Sequence, residues 1–267
     1  MDSTMNPKAE SMKNRFVSFS GIFAIFLVWI AASAIVANPM LLPTPWKTAE
    51  AFFEILTGSA SLLAIGATVL RLTVAMGVAT VLGLSSGIAA GLVPDVYRFL
   101  RPVVTVLRTV PVISIVVIVL IVFGFASTPY VITFLMVFPI LFQAAADGIR
   151  RIDPELVDVF KLEDGTLLGG LRHCYLPLIA ADIRTALLQA AGLGVKVLVM
   201  AEYLAQTPHS VGNALYLAKV ELDFGAVFAW TALLVLMAGA IEVGVRLFAS
   251  EKTPEINGIA KKRSITD

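Results

Sequence analysis

Residues 72–93 read Leu-Thr-Val-Ala-Met-Gly-Val-Ala-Thr-Val-Leu-Gly-Leu-Ser-Ser-Gly-Ile-Ala-Ala-Gly-Leu-Val, without one charged side chain. As helix, at about 1.5 Å of rise per residue, such a run covers about 33 Å. That matches the ~30 Å hydrocarbon core of a bilayer. Gly77, Gly83, Ser85, Ser86, Gly87 and Gly91 recur along it, and small residues of this kind let membrane helices approach closely. The same reading extends outward. The stretch between Arg108 and Asp147 is again uncharged and too long for one helix, and Gly124-Phe-Ala-Ser-Thr-Pro129 is expected to break it in two. With Phe16–Ala37, Ile183–Leu204 and Phe224–Leu247 this makes about six expected spans. The predicted fold class is all-α, a polytopic membrane protein.

Composition agrees. Of 267 residues, 58% are hydrophobic and 15% charged, with a mean hydropathy of +0.89, whereas soluble domains run at ~45–50% apolar and ~25% charged. A net charge of +1 gives no reason to expect a nucleic-acid partner. One cysteine, Cys174, excludes an internal disulfide, and His173 and His209 are too few and too separated for a metal cluster. No catalytic constellation and no metal site are read from the sequence. Phe16–Ala37 is about span length, so the N-terminus is read as an uncleaved helix rather than a signal peptide.

Between the expected spans, Asn38–Pro45 is kept out of helix by its prolines, and Trp46–Thr57 reads as a short amphipathic stretch at the outer interface. Ala205–Asp223 reads as a loop. Lysine and arginine set the orientation, because cytoplasmic loops carry the excess. With the N-terminus inside, 16 of the 20 lie on the inner side. Only Lys47 and Lys219 are outside, while Arg71 and Lys196 lie at or within the membrane. Both termini are therefore expected in the cytoplasm.

The inner segment from Asp153 to Pro177 carries the functional signal. Asp153 and Pro154 suit a helix start. Leu156, Val159, Phe160 and Leu167 can form one apolar side, and Gly165, Gly169 and Gly170 permit a turn before a second helix near Leu176-Pro177. From the residues alone this is either a docking helix–turn–helix or an ordinary amphipathic connector.

The spacing resembles the cytoplasmic coupling loop of ABC importer permeases, Glu-Ala-Ala … Gly … Ile-x-Leu-Pro. Counted back from Leu176-Pro177, Cys174 stands at the Ile position, Asp164 at the Gly position and Asp158-Val159-Phe160 at Glu-Ala-Ala. Asp for Glu is a mild departure; Val and Phe are bulkier than alanine, and Gly165 follows where the turn glycine is missing. The resemblance is to the nitrate/sulfonate/taurine branch and covers about Leu41 to Arg246. It rests on Leu42-Pro43-Thr44-Pro45, Thr68-Val-Leu-Arg71, Arg101-Pro102, Arg108-Thr-Val-Pro111, Phe123-Gly124, Asp147-Gly148-Ile149, Asp153-Pro154 and Ala201-Glu202.

That resemblance implies a type I, MetI-like permease core in a bacterial inner membrane. The division is then a cytoplasmic tail (1–15), a first span with its outer amphipathic segment (16–57), a core (58–248) containing the coupling loop (153–177), and a basic cytoplasmic tail (249–267). It assigns Glu155, Asp158, Val159, Phe160, Glu163, Asp164 and Gly165 to ATPase coupling. The chain has no Gly-x-x-x-x-Gly-Lys-Ser/Thr phosphate loop. ATP and Mg are therefore expected on two partner ATPase subunits, with no cofactor in this chain. A second copy of the chain and an extracytoplasmic solute-binding protein are the other expected partners, and the cargo is expected to be a small anion, sulfonate-like or nitrogenous compound. A secondary carrier or intramembrane enzyme is the alternative; the sequence shows neither the paired halves of the first nor convergent catalytic groups for the second.

Three ionisable residues are candidates for the translocation pathway. Arg71 either meets anionic substrate or anchors at the interface. Glu202 reads as a structural hydrogen-bond partner or gate residue. Lys196 sits mid-span, where a charge costs roughly 2.5–3.5 kcal/mol on insertion scales, and Glu202, six positions on, lies off its face. It either faces the pathway, snorkels, or pairs with an acid from another span.

Overall fold

The computed structural model describes residues 7–38, 41–158 and 167–250, and among these every regular element is helical. In order, those of ten residues or more are α1 (Pro7–Val36), α2 (Pro45–Thr57), α3 (Ser59–Leu92), α4 (Pro94–Thr109), α5 (Val112–Arg150), α6 (Leu176–Ala205), α7 (Val211–Val220) and α8 (Phe224–Ser250). The all-α expectation holds. Proline does the local punctuation. Pro45 and Pro94 open α2 and α4 in the first turn, where the missing N–H costs nothing. The Thr44 hydroxyl caps α2 by accepting from the Lys47 N–H at 3.3 Å.

Four helices are long and apolar enough to cross a membrane: Ser59–Leu92, Val112–Arg150, Leu176–Ala205 and Phe224–Leu247. The apolar part of α1, Phe23–Val36, is shorter. The third and fourth expected spans meet inside α5, which is two arms joined at Gly124 (φ 75°, ψ 176°). That backbone geometry is open essentially only to glycine, so the break falls at Gly124, while Pro129 lies within the second arm. The first arm, 112–123, covers only about 18 Å, roughly half a bilayer core. Two further differences stand out. α3 starts at Ser59 rather than near Leu72, and the segment read as a loop contains α7.

The chain packs as two compact units. One holds the residues up to Leu63 together with Ala214–Leu234. In it the Trp29 ring stacks on Phe228 at 5.7 Å and its Nε1–H donates to the Pro43 carbonyl at 3.2 Å. The Ser33 hydroxyl donates to the Leu42 carbonyl at 3.3 Å, so the proline-rich turn is tied back to α1.

The other unit holds Ala64–Asn213 and the chain from Val235. Its centre is α5 against α3 and α6, with Ala79, Val137, Leu141, Ala186 and Ala190 buried together. The contact between α3 and α5 depends on missing side chains. A Cβ at Gly87 would lie 2.5 Å from the Phe142 carbonyl oxygen, and Gly83 and Gly91 are crowded in the same way. These three, spaced four apart, are the working part of the small-residue pattern; Gly77 faces open space. Close approach matters here because apolar helices gain no hydrophobic drive from each other in lipid, and packing carries the association.

Candidate functional site

Glu202, near the C-terminal end of α6, is fully buried (0% exposed). Its carboxylate oxygens each lie 3.0 Å from the Thr68 hydroxyl. They also accept from Arg71 Nη1 at 3.1 Å and from the Gly212 N–H at 3.3 Å. Thr68 and Arg71 come from neighbouring turns of α3. Arg71, 14% exposed, also donates to the carbonyls of His209 and Pro208, both at 3.1 Å. The Thr68 hydroxyl in turn accepts from the Val211 N–H at 3.0 Å. One buried ion pair thus pins α3, α6 and the 206–213 turn together, with both carboxylate oxygens partnered.

The turn itself is built for this contact. Gln206 (φ 48°) ends α6 in the left-handed region, and His209 (φ 49°) turns the chain again. Ser210 donates to the Thr207 carbonyl and accepts from the Asn213 N–H. Gly212 admits no side chain, since a Cβ would sit 2.5 Å from both Glu202 Cβ and the Tyr203 nitrogen. Sequence reading singled out Arg71 and Glu202 separately. It missed that they face each other, and it missed Thr68 and Gly212. The signal lay in the Thr68-Val-Leu-Arg71 run, whose i,i+3 spacing places both polar ends on one helix face.

Lys196 is not part of this network. It is exposed between buried Val195 and Val197, and makes no hydrogen bond or ion pair among the described residues. Thr185 and Gln189 are exposed on the same face of α6, with exposed Leu193 between Gln189 and Lys196, so polar side chains recur along this face as a stripe. At its Leu176 end the stripe enters a cleft of about 300 Å³ lined by Arg108, Gln143, Asp147, Arg151, Asp182 and Gln189. Here Arg108 donates to Gln143 Oε1, and Arg151 bridges Asp182 Oδ2 at 3.3 Å and the Asp147 carbonyl at 3.1 Å.

In the candidate coupling segment, residues 154–158 are helical. Asp153 caps them, its Oδ1 accepting from the Glu155 N–H at 3.0 Å. Glu155 and Asp158 are exposed on this turn. Val159, Phe160, Glu163, Asp164 and Gly165 lie outside the described residues. Gly169 and Gly170 do not form the expected turn. The chain is already helical from Leu167 and reaches α6 through one widened turn, Leu171–Tyr175, in which the Leu176 N–H reaches back five residues to the Leu171 carbonyl. Cys174 is buried there, and burial pushes its thiol pKa up, which starves it of reactive thiolate.

Residues 79–250 match the family described as binding-protein-dependent transport system inner membrane component. The chain belongs to this family. It is a membrane-embedded ABC importer permease and not an enzyme, and the family implies an ATP-hydrolysing partner and a solute-binding protein. The permease is 26% identical over 242 residues to the taurine transport system permease protein TauC of Escherichia coli (strain K12), covering 88% of each chain. It is also 29% identical over 170 residues to the trimethylamine N-oxide transport system permease protein TmoV of Ruegeria pomeroyi. That match covers 57% of the permease and only 26% of the relative's length. The matched family region contains Lys196, Glu202 and the whole of 153–177, whereas Thr68 and Arg71 precede it.

Proposed function

We propose that this permease works as a homodimer with two ATPase subunits, moving a small acceptor-bearing solute along the polar face of α6. The observation that carries the reading is Lys196, an exposed cation without a partner among the described residues on a membrane-spanning helix. An ionisable group in such a position ordinarily faces a water-filled route or a protein partner rather than lipid. Thr185 and Gln189 continue the same face toward the mixed-charge cleft, which gives a solute hydrogen-bonding partners along the way. A second copy opposite this face would enclose it.

The solutes named for the two relatives, taurine and trimethylamine N-oxide, are both net-neutral dipolar molecules with a strong oxygen acceptor. A sulfonate-like or nitrogenous solute of that kind fits the ammonium of Lys196. In this mechanism ATP binding draws the two ATPases together, the coupling segments at 153–177 follow, and the dimer opens toward the loaded binding protein. Hydrolysis restores the inward-facing state. Arg71 and Glu202 hold the 206–213 turn against α3 and act on the pathway through that turn rather than by touching the solute. Both termini lie in the cytoplasm, as the charge bias requires.

The test is Lys196→Met, which keeps the stem and removes the charge. In proteoliposomes with the ATPase and binding protein, solute uptake should fall at least about tenfold, the equivalent of ~1.4 kcal/mol in pathway affinity. Basal ATP hydrolysis and assembly should be unchanged. Uptake at the wild-type rate would remove Lys196 from the pathway.

A further inference from the structure

We propose that α4 and the Arg150 end of α5 form a binding site for an anionic phospholipid. At 16 residues, α4 covers only about 24 Å and carries three arginines, so it does not cross a bilayer. Val96, Tyr97, Leu100 and Val104 pack it onto α5 around Phe142 and Ala146. A second face is apolar yet uncovered: Phe99, Val103 and Val106, at i, i+4 and i+7, are 76%, 50% and 56% exposed. A third carries Arg98 and Arg101, both exposed. A helix with packed, apolar and basic sides in this order is suited to the headgroup–acyl boundary, its apolar stripe among the chains.

The basic side is organised for a phosphate. Arg150 reaches over from the end of α5 and stacks its guanidinium 4.0 Å above the Tyr97 ring, and the Arg101 guanidinium lies 6.0 Å from the same ring. Arg98 is paired with Asp95 at 3.0 Å. Arg101 and Arg150, by contrast, have no hydrogen bond or ion pair among the described residues. Two guanidiniums held at one ring with their N–H edges unspent make an uncompensated charge of +2 beside an apolar stripe. Guanidinium suits bidentate contact with phosphate oxygens, and basic pockets between helices at a membrane surface take acidic headgroups. Head and chains of one lipid are thereby accommodated together. This site is separate from the α6 stripe and stands or falls independently of the substrate reading.

The experiment uses the full chain in vesicles of phosphatidylcholine and phosphatidylglycerol at about three to one. Native mass spectrometry then counts the lipids that stay bound. The wild-type chain should retain phosphatidylglycerol preferentially, and the Arg101→Gln/Arg150→Gln double variant should retain it roughly thirtyfold less, each arginine near an anionic surface being worth ~1 kcal/mol. Arg246→Gln, which removes a charge already paired with Glu242, should change nothing. A second measurement needs no arginine variant. Phe99→Cys, labelled with a fluorophore while buried Cys174 stays unmodified, should be quenched by nitroxide-bearing acyl chains. Equal phosphatidylglycerol retention by wild type and double variant would overturn the proposal. So would displacement of the lipid by inorganic phosphate alone, or a Phe99→Cys label shielded from acyl chains by the ATPase or a second permease.

Discussion

Glu202 lies near the end of the membrane-spanning helix α6 and is fully buried. As a letter within a long apolar run it is an expensive acid; in place, it is the hub of four contacts from Thr68, Arg71 and the Gly212 N–H. Buried charges persist when each is paired and each lone pair is met. Removing one partner strands the other, so Glu202→Ala should destabilise the permease by about 3–5 kcal/mol. Arg71→Met/Glu202→Leu, which removes both charges, should cost less than the two single changes added together, by at least about 1 kcal/mol. Denaturant unfolding of the four species in detergent measures this. Additive losses would mean that the pair is not energetically coupled. Lys196 is the counterpart: equally legible as an unusual residue in sequence, but left by the fold without a protein partner among the described residues.

At the scale of elements, the apolar runs announced themselves while their ends did not. Arg71 looked like the boundary of a span, yet α3 begins twelve residues earlier at Ser59, and the charge is met by Glu202 and two carbonyls. Gly124 was readable as a break, but not that the first arm of α5 is only half a bilayer long. α7 escaped notice because a ten-residue helix is marginal on its own and forms here on packing. The candidate coupling segment rests on a resemblance in spacing, and the Asp153 cap on Glu155 gives a helix start there. If that segment docks on the ATPase, Asp158→Lys with Glu163→Lys should lower transport-coupled ATP hydrolysis severalfold while insertion and assembly stay intact. Unchanged coupling in the double reversal would place the ATPase contact elsewhere.

For the whole molecule, orientation is the property on which the proposed transport cycle depends, and its expectation rests on charge bias alone. A cysteine in place of Glu221, exposed beyond α7, should react with an impermeant thiol reagent from outside the cell; one in place of Glu155 should react only after lysis. Buried Cys174 gives little background. The opposite pattern would invert the topology. The helical class, the apolar segments, their sidedness as an expectation and the family resemblance were all legible in the residues alone. These follow from composition, run length and local spacing, which need no knowledge of neighbours. It took the packed fold to show that Arg71 and Glu202 neutralise one another across 131 residues of chain, that Gly83, Gly87 and Gly91 rather than Gly77 seat α3 on α5, and that Thr185, Gln189 and Lys196 share one uncovered face. A side chain's cost or use in a membrane depends on what stands opposite it, and that is fixed when the helices pack.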